Sequence, residues 1–221
     1  MILRKLKGRL FNWDIDDAGT YRKGSWSQSF SGKRYWVLDP HPDDINLIDI
    51  VIGLANASRY RGQTMFFYSV LTHCILVSRA VEALALERGW GIEAAKEAAL
   101  EGLLHDASEA YIGDVARPLK RSKAMRGYCE VEALWDEVIR ERFGIKSSTQ
   151  SRKIVDEADK RIVLDEVYTF MRDPDMWPRH GRYLDLEPLY VTVPKWSIEQ
   201  SIEEFYKRYF ELKPEEMKEA A

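Results

Sequence analysis

The amino-acid sequence predicts an all-α fold that carries a small β-hairpin near its N-terminus. Apolar residues recur at helical spacing from about residue 43 to residue 172, and again near the C-terminus. The stretch 26–38 instead alternates aromatic and polar residues on either side of a glycine turn, which is typical of paired strands. No internal repeat or low-complexity linker divides the chain. We therefore expect one domain over residues 1–221.

The predicted hairpin reads WSQSF-SGK-RYWVL and turns at Ser31-Gly32-Lys33. Its aromatic residues include Trp26, Tyr35 and Trp36. Aromatic side chains at strand spacing usually enter a core or a subunit contact, so we expect packing here rather than base stacking.

Six helices are predicted after the hairpin, at about 43–57, 67–88, 92–110, 117–143, 150–172 and 197–212. Proline and acidic residues favour a first helical turn, so Pro42 and Asp43 mark the first start. The last helix is amphipathic and is expected to pack on the others. The segment 173–196 holds four of the eight prolines and predicts an ordered loop with a short strand near Leu189–Val193.

Composition narrows the class of protein. Hydrophobic residues make up 45% and charged residues 31%, as in ordinary globular domains, and the net charge of -3 argues against a general nucleic-acid binder. No stretch has the apolar core of a signal peptide or the roughly 18 apolar residues of a membrane span. We expect a cytoplasmic protein that binds no membrane. Its two cysteines, Cys74 and Cys129, are expected to be reduced thiols.

Small residues share one face of the predicted helix 92–110, namely Ala94, Ala95, Ala98 and Gly102. His105 and Glu109 lie over that same face, and Asp106 lies at its edge. Small residues let a neighbouring helix approach closely, so this pattern favours a packed polar site. The alternative to a packed site is a solvent-exposed helix face, because the charged Glu101 lies on the margin of the same face.

Two other predicted helices place polar residues inside apolar surroundings. The helix 67–88 is apolar nearly all round and contains His73. A lone buried histidine is usually a hydrogen-bonded core residue, but here the next helix ends in a second histidine. On the helix 150–172, Asp159 and Glu166 both lie within the apolar arc, where an unpaired carboxylate would cost several kcal/mol. The pattern leaves open which of the two joins the site, and a salt bridge to a neighbouring helix is the alternative for either.

Two imidazoles with one or two carboxylates suit a divalent transition metal such as Mn, Fe, Co, Ni or Zn, because Mg and Ca prefer oxygen ligands alone. The two remaining histidines, His41 and His180, both lie in predicted loops. We therefore expect a site for a single ion.

The spacing of these residues resembles the HD-domain metal-dependent phosphohydrolases, in particular the 5'-deoxynucleotidase-like branch and its phage-type relatives. A lone histidine is followed 32 residues later by "HD" and 53 residues beyond by an aspartate. The resemblance covers about residues 35–172 and rests on "SRYRGQTMFFYSVLTH", "LLHDASEAYIGDVARPLK" and "DEADKRIVLDE".

The resemblance implies an HD-domain helical bundle with one metal ion held by four residues: His73, His105, Asp106 and Asp159. It also implies that Glu109 orients the attacking water or tunes a ligand, and that Asp114 is the general acid or base near the leaving oxygen. The structural alternatives are a surface carboxylate for Glu109 and a turn-forming aspartate for Asp114.

On the substrate side, the family uses an arginine before the first histidine to hold phosphate. "RYR" offers Arg59 and Arg61, and Arg59 with the aromatic Tyr60 after it fits the pattern better. Lys120 in "RPLK" is a second phosphate candidate, although a solvated basic stretch would look the same. Tyr60 and Pro118 are predicted to form an apolar pocket for the base.

The predicted function is metal-dependent removal of the 5'-phosphate from deoxynucleoside monophosphates. The alternative with the same site is a deoxynucleoside triphosphate triphosphohydrolase, for which "RPLKRSK" would supply further cations. A non-catalytic nucleotide sensor is the third hypothesis, but all the expected ligands and both acids are present. The expected partner is a nucleotide substrate rather than a nucleic-acid polymer, and the resemblance implies a homo-oligomer.

Overall fold

The computed structural model describes residues 13–177, 183, 185–213 and 215. The α-helices of this part of the chain are α1 Leu47–Asn56, α2 Val70–Glu87, α3 Ile92–Leu103, α4 Glu109–Ile112, α5 Arg117–Lys120, α6 Arg126–Phe143, α7 Thr149–Phe170 and α8 Ile198–Leu212. Short 3-10 turns lie at Pro42–Asp44, Arg59–Gly62, Lys123–Met125 and Pro174–Met176. The strands are β1 Trp13–Ile15, β2 Tyr21–Lys23, β3 Trp26–Gln28 and β4 Arg34–Trp36. The predicted all-α class with a small hairpin is thus confirmed.

The predicted hairpin is the antiparallel pair β3–β4, and a second hairpin, β1–β2, precedes it. Trp36 is buried, with the guanidinium of Arg22 4.3 Å from the centroid of its ring, whereas Trp26 is exposed. The buried Arg22 of β2 joins both hairpins to the helical body, because its Nη2 donates to Asp44 at 2.6 Å and its Nε donates to Asp39 at 3.1 Å. The N-terminal hairpins therefore cover one end of the helical core.

The centre of the fold is α2, which packs against both α3 and α7. Gly102 allows the close approach of α3, because a Cβ there would lie 3.1 Å from Val81 Cγ2 and 3.4 Å from Ser78 Cα. The close packing predicted from the small residues is observed at Ala95, Ala98 and Gly102, which are buried, whereas Ala94 is exposed. The C-terminal helix α8 starts at a cap in which the Ser197 side chain accepts from the backbone of Gln200. It buries Phe205 in the core, as expected of a packing helix.

The predicted helix 92–110 is wrong in its second half, because α3 ends at Leu103 and a turn carries the chain to α4. A continuing helix would offer the carbonyl of Gly102 to the backbone of Asp106. The ring of His105 donates to that carbonyl instead, at 2.8 Å. His105 and Asp106 therefore lie in a turn, which frees them from helical geometry.

The predicted helix 117–143 is also broken, and only α6 is long. A turn at Ser122 separates α5 from the residues that lead into α6. The short strand predicted at 189–193 is wrong too: these residues, all described, form no strand. The backbone amides of Leu189 and Val191 donate to the carboxylate of Asp165, at 2.9 and 3.2 Å, instead of to a neighbouring strand. Tyr190 between them has a φ of 57°, which no strand tolerates.

Both cysteines are free thiols, as predicted. Within the described ranges, no helix combines the length and the apolar character needed to cross a membrane. Of the two further histidines, His41 is exposed just before the first 3-10 turn, and His180 lies outside the described residues.

Candidate metal centre

Three predicted ligands meet where the first turns of α2 face the turn after α3. The ligand atoms of His73, His105 and Asp106 all lie within 4.8 Å of one another. Asp106 Oδ2 lies 3.2 Å from His105 Nε2 and 3.7 Å from His73 Nε2. Two ring nitrogens and a carboxylate oxygen at this spacing could hold a metal ion.

The position of His73 follows from the start of α2. Ser69 caps the helix, since its side chain accepts from the backbone amide of Thr72 at 3.1 Å. His73 then lies in the first turns and is completely buried. A histidine in this position needs a partner for each ring nitrogen.

In each histidine, the hydrogen-bond partner of Nδ1 decides whether Nε2 is free to bind a metal ion. His73 Nδ1 lies 2.6 Å from Glu166 Oε1, and His105 Nδ1 lies 2.8 Å from the carbonyl oxygen of Gly102. Burial would raise the pKa of Glu166, but Arg59 and His73 outweigh it and bring the pKa to about 2, so Glu166 is an ionised acceptor. Both Nδ1 atoms therefore carry a hydrogen. Both Nε2 atoms are buried, and neither has a hydrogen-bond partner among the described residues.

Asp159 approaches the same histidine from α7. Its Oδ1 lies 3.3 Å from His73 Nε2, and its Oδ2 accepts from Arg117 Nη2 at 3.3 Å. It is not one of the three residues whose ligand atoms are all within 4.8 Å of one another. Burial would raise the pKa values of Asp159 and Asp106, but the two histidines outweigh it and hold both well below the usual range. The cluster thus contains two ionised carboxylates.

Asp159 and Glu166, which the helical pattern could not separate, lie on opposite edges of the His73 ring. Asp159 faces Nε2 and Glu166 is bonded to Nδ1. Two turns of one helix therefore contact one imidazole. Both carboxylates therefore face inward to His73, and each also pairs with an arginine from another segment, Arg117 or Arg59.

The two predicted acids lie on the rim of the cluster. Glu109 opens α4, and its backbone amide donates to the carbonyl of Asp106 at 3.0 Å. It is half-buried, and burial together with the charges of Asp106 and Asp114 raises the pKa of Glu109 to about 9. Asp114 is exposed and follows Gly113, whose φ of 77° makes the turn. Glu109 and Asp114 are therefore close enough to interact electrostatically.

Arg59 faces the cluster, whereas Arg61 is exposed to solvent. Arg59 Nη2 donates to Glu166 Oε2 at 3.2 Å, and its Nη1 lies 3.7 Å from Asp106 Oδ2. Its Nε is buried and has no hydrogen-bond partner among the described residues. The Tyr60 hydroxyl donates to Glu166 Oε2 at 2.5 Å, so the polar end of this predicted base-pocket residue points toward Glu166.

The basic segment of α5 is already engaged with carboxylates. Lys120 Nζ donates to Glu132 Oε1 at 2.5 Å, and Arg117 pairs with Asp159 as described above. Pro118 lies exposed on the same short helix. The sequence pattern missed the roles of Arg117 and Glu132, because neither pairing leaves a trace in residue spacing.

A cleft of ≈ 230 Å³ opens beside the cluster and reaches His105 and Asp159. Its lining includes Arg140 on α6 and Arg152 on α7, together with three acidic residues, Glu101, Asp156 and Asp159. No feature of residue spacing pointed to these two arginines, since they come from helices that meet only in the folded chain. A ligand in this cleft would therefore meet side chains of both charges.

Two curated proteins are similar in sequence to part of this chain. No family model matches the chain. The uncharacterized protein YfdR of Escherichia coli K12 is 37% identical over 121 residues, which cover 55% of this chain and 60% of that protein. The uncharacterized protein RCAP_rcc00048 of Rhodobacter capsulatus is 38% identical over 125 residues, covering 56% of this chain and 60% of the relative. The chain thus spans about 60% of the length of the curated relatives that it matches.

Among solved structures, the cyanophage S-2L HD phosphohydrolase (DatZ), bound to dA and one catalytic Zn²⁺ ion, is similar with a TM-score of 0.51. The match covers 77% of this chain and 98% of the cyanophage protein at 14% sequence identity. At 14% sequence identity, this similarity shows a shared fold alone. The fold is therefore an HD-domain helical fold, as the sequence predicted.

Proposed function

We propose that the protein is a metal-dependent phosphohydrolase of deoxynucleotides that removes the 5'-phosphate from deoxynucleoside monophosphates. The observation that carries the proposal is the pair of buried Nε2 atoms, on His73 and His105, that face the ionised Asp106 without a hydrogen-bond partner among the described residues. Buried polar atoms are nearly always satisfied, so this arrangement favours a ligand at that point. The dA and the catalytic Zn²⁺ of the cyanophage neighbour agree with the proposal.

The donor set fits one divalent transition metal such as Mn, Fe, Co, Ni or Zn. His73, His105 and Asp106 would hold it together with Asp159, which lies at the His73 edge. When bound, such an ion polarises a phosphoryl oxygen and lowers the pKa of a coordinated water.

The chain's own acids would handle the protons. Burial and neighbouring carboxylates raise the pKa of Glu109 to about 9, so it holds a proton at neutral pH. A cation bound beside it would lower that pKa and leave a carboxylate that orients the attacking water. Asp114 is exposed, interacts electrostatically with Glu109, and would act as the general acid or base near the leaving ester oxygen. Arg59, with its unpaired Nε, would bind a phosphate oxygen as charge develops there.

The ion pairs of α5 favour a monophosphate substrate, because Lys120 and Arg117 are already paired with carboxylates. A triphosphate would have to take Lys120 from Glu132 or Arg117 from Asp159 to neutralise its additional charge. One observation bears on the second candidate, a deoxynucleoside triphosphate triphosphohydrolase. Arg140 and Arg152 line the cleft beside the cluster and would offer two cations to additional phosphates, although three acidic residues line the same cleft.

The test is a chromatographic analysis of products from deoxy- and ribonucleoside mono- and triphosphates, with Mn, Co, Zn or no added metal. Nucleoside and orthophosphate from monophosphates would support the proposed reaction. Nucleoside and intact triphosphate would move the assignment to the second candidate, and Arg140→Gln with Arg152→Gln should then lower turnover. No turnover with any metal, in a protein shown to bind one, would refute both and favour a nucleotide sensor.

Metal binding is expected to release a proton from His105. Burial would lower the pKa of His105, but Asp106 and Cys74 outweigh it and raise it well above its usual value. The metal-free protein therefore keeps a proton on His105 Nε2 at neutral pH, and an ion must displace that proton. We expect Co²⁺ affinity to rise about tenfold per pH unit between about pH 6 and 8, and to level off above the pKa of His105.

Titration of Co²⁺ at several pH values in weakly buffered solution measures both the affinity and the proton release. A Co²⁺ affinity that stays constant across this pH range would contradict the assignment of His105 as a ligand.

A further inference from the structure

Glu166 is completely buried, and its two carboxylate oxygens accept hydrogen bonds from four donors. Oε1 accepts from His73 Nδ1 at 2.6 Å and from the Tyr68 hydroxyl at 2.8 Å. Oε2 accepts from the Tyr60 hydroxyl at 2.5 Å and from Arg59 Nη2 at 3.2 Å. A buried carboxylate with all of these partners is satisfied where it lies, so it is held in one position.

This carboxylate is not placed to bind the ion or to carry protons for the reaction. It contacts the edge of the His73 ring that is remote from Asp106, while Nε2 on the other edge faces the cluster. Its effect on the cluster must therefore pass through His73 and through the segment that contains Arg59 and Tyr60.

We propose that Glu166 is a positioning residue of the metal centre, which fixes His73 in the tautomer with the hydrogen on Nδ1 and holds the Arg59–Tyr60 turn against the cluster. The proposal rests on the proposed function, in that the cluster binds a metal ion. A neutral imidazole has one lone pair, and only the tautomer with the hydrogen on Nδ1 presents it at Nε2. Without an acceptor at Nδ1, the other tautomer becomes available and cannot bind an ion through Nε2.

The second part of the proposal follows from the backbone of the turn. Tyr60 and Arg61 are consecutive non-glycine residues with φ values of 53° and 55°, in the left-handed region that such residues rarely adopt. Such strain persists only where the surroundings hold it. The hydrogen bond from Tyr60 to Glu166 and the edge-on contact of the Tyr60 ring with Trp177, at 5.7 Å between ring centroids, supply two such restraints. One carboxylate thus links the turn with Arg59 to a metal-binding histidine.

The main experiment compares Zn²⁺ affinity of the full chain and its Glu166→Gln variant, by competition with a chromophoric chelator. Glutamine keeps the shape but offers one acceptor oxygen and an amide that faces donors. We expect the affinity to fall about 10- to 100-fold, the usual effect of removing a partner of a metal-bound histidine. Glu157→Gln is the matched control on α7, because Glu157 pairs only at the surface with Arg88 and Arg161, and we expect no change in affinity.

Two further variants keep the proposal testable if Glu166→Gln does not fold. Glu166→Asp retains the charge and should restore part of the affinity. Tyr60→Phe removes the link to the turn but leaves the bond to His73, so it should weaken binding of inorganic phosphate to the metal-loaded protein more than binding of Zn²⁺ itself.

Two-bond ¹H–¹⁵N spectra of the histidine rings supply a readout that a purely structural role would not change. In the metal-free native protein, His73 should show its hydrogen on Nδ1, and in Glu166→Gln the signals should shift toward the other tautomer. Wild-type Zn²⁺ affinity in Glu166→Gln, or a native His73 without a hydrogen on Nδ1, would overturn the proposal. Failure of the native chain to bind Zn²⁺ would instead contradict the proposed function, and the two failures are therefore distinct.

Discussion

Replacing Asp106 with alanine is expected to abolish metal binding and to reduce nucleotide turnover by about 10³-fold or more, since a bound metal ion contributes several kcal/mol to stabilising the transition state. Asp106 is the carboxylate that lies near both buried Nε2 atoms, at 3.2 and 3.7 Å. Its removal leaves Asp159 as the one ionised carboxylate of the cluster, so the site loses a ligand and part of the negative charge that draws a cation to it. Metal content by mass spectrometry and turnover of deoxynucleoside monophosphates measure the two effects.

Two variants separate loss of the site from loss of the fold. Asp106→Asn keeps the shape of the side chain without its charge, so it should also lose the metal while its circular dichroism stays native. Asp17→Asn is the control for removal of an aspartate, because the Asp17 side chain is 95% exposed in the first hairpin, and it should change neither property. Native metal content in Asp106→Ala would show that the ion binds elsewhere.

Gly53→Ala is expected to destabilise the protein by about 1–3 kcal/mol, the usual effect of overpacking a core. The new Cβ would lie 2.7 Å from Ala110 Cβ and 3.0 Å from Ala110 Cα. Ala110 belongs to α4, and its backbone cannot move aside without displacing Glu109. The gain in helix propensity, at most about 1 kcal/mol, offsets only part of the clash. Turnover should therefore fall together with stability.

Urea unfolding measures the change in the free energy of unfolding, and Gly127→Ala is its control. Gly127 lies in α6, and a Cβ there meets nothing within 4 Å. The same exchange at Gly127 should stabilise the protein by up to ~1 kcal/mol, through helix propensity alone. Equal stability of the two variants would contradict a tight contact between α1 and α4.

The sequence pattern predicted most of the helices and identified residues of the cluster. The pattern predicts that an apolar helix packs against a helix with a small-residue face. Polar residues at such a contact are unusual, and this identified His73, His105 and Asp106. The pattern could not choose between Asp159 and Glu166, because helical periodicity reports a face and both residues share it. In the structure both contact the His73 ring, one at each edge.

Two of the errors share a physical cause, which is competition from side chains for backbone hydrogen bonds. The ring of His105 takes the carbonyl of Gly102 and ends α3, and the carboxylate of Asp165 takes two amides from the loop at 189–191. Periodicity cannot detect either interaction. The β1–β2 hairpin was missed for a similar reason, since its anchor in the core is a charged residue, Arg22, in a polar stretch.

The most direct test of a metal-dependent hydrolase is turnover measured against metal occupancy in a single preparation. The metal-free protein would be loaded stepwise with Mn²⁺, Co²⁺ or Zn²⁺, and the ions bound per chain and the rate of phosphate release would be determined at each step. The account predicts a rate that rises in proportion to occupancy and reaches its maximum at one ion per chain. Phosphate release that is independent of occupancy, or full occupancy without any release, would contradict it.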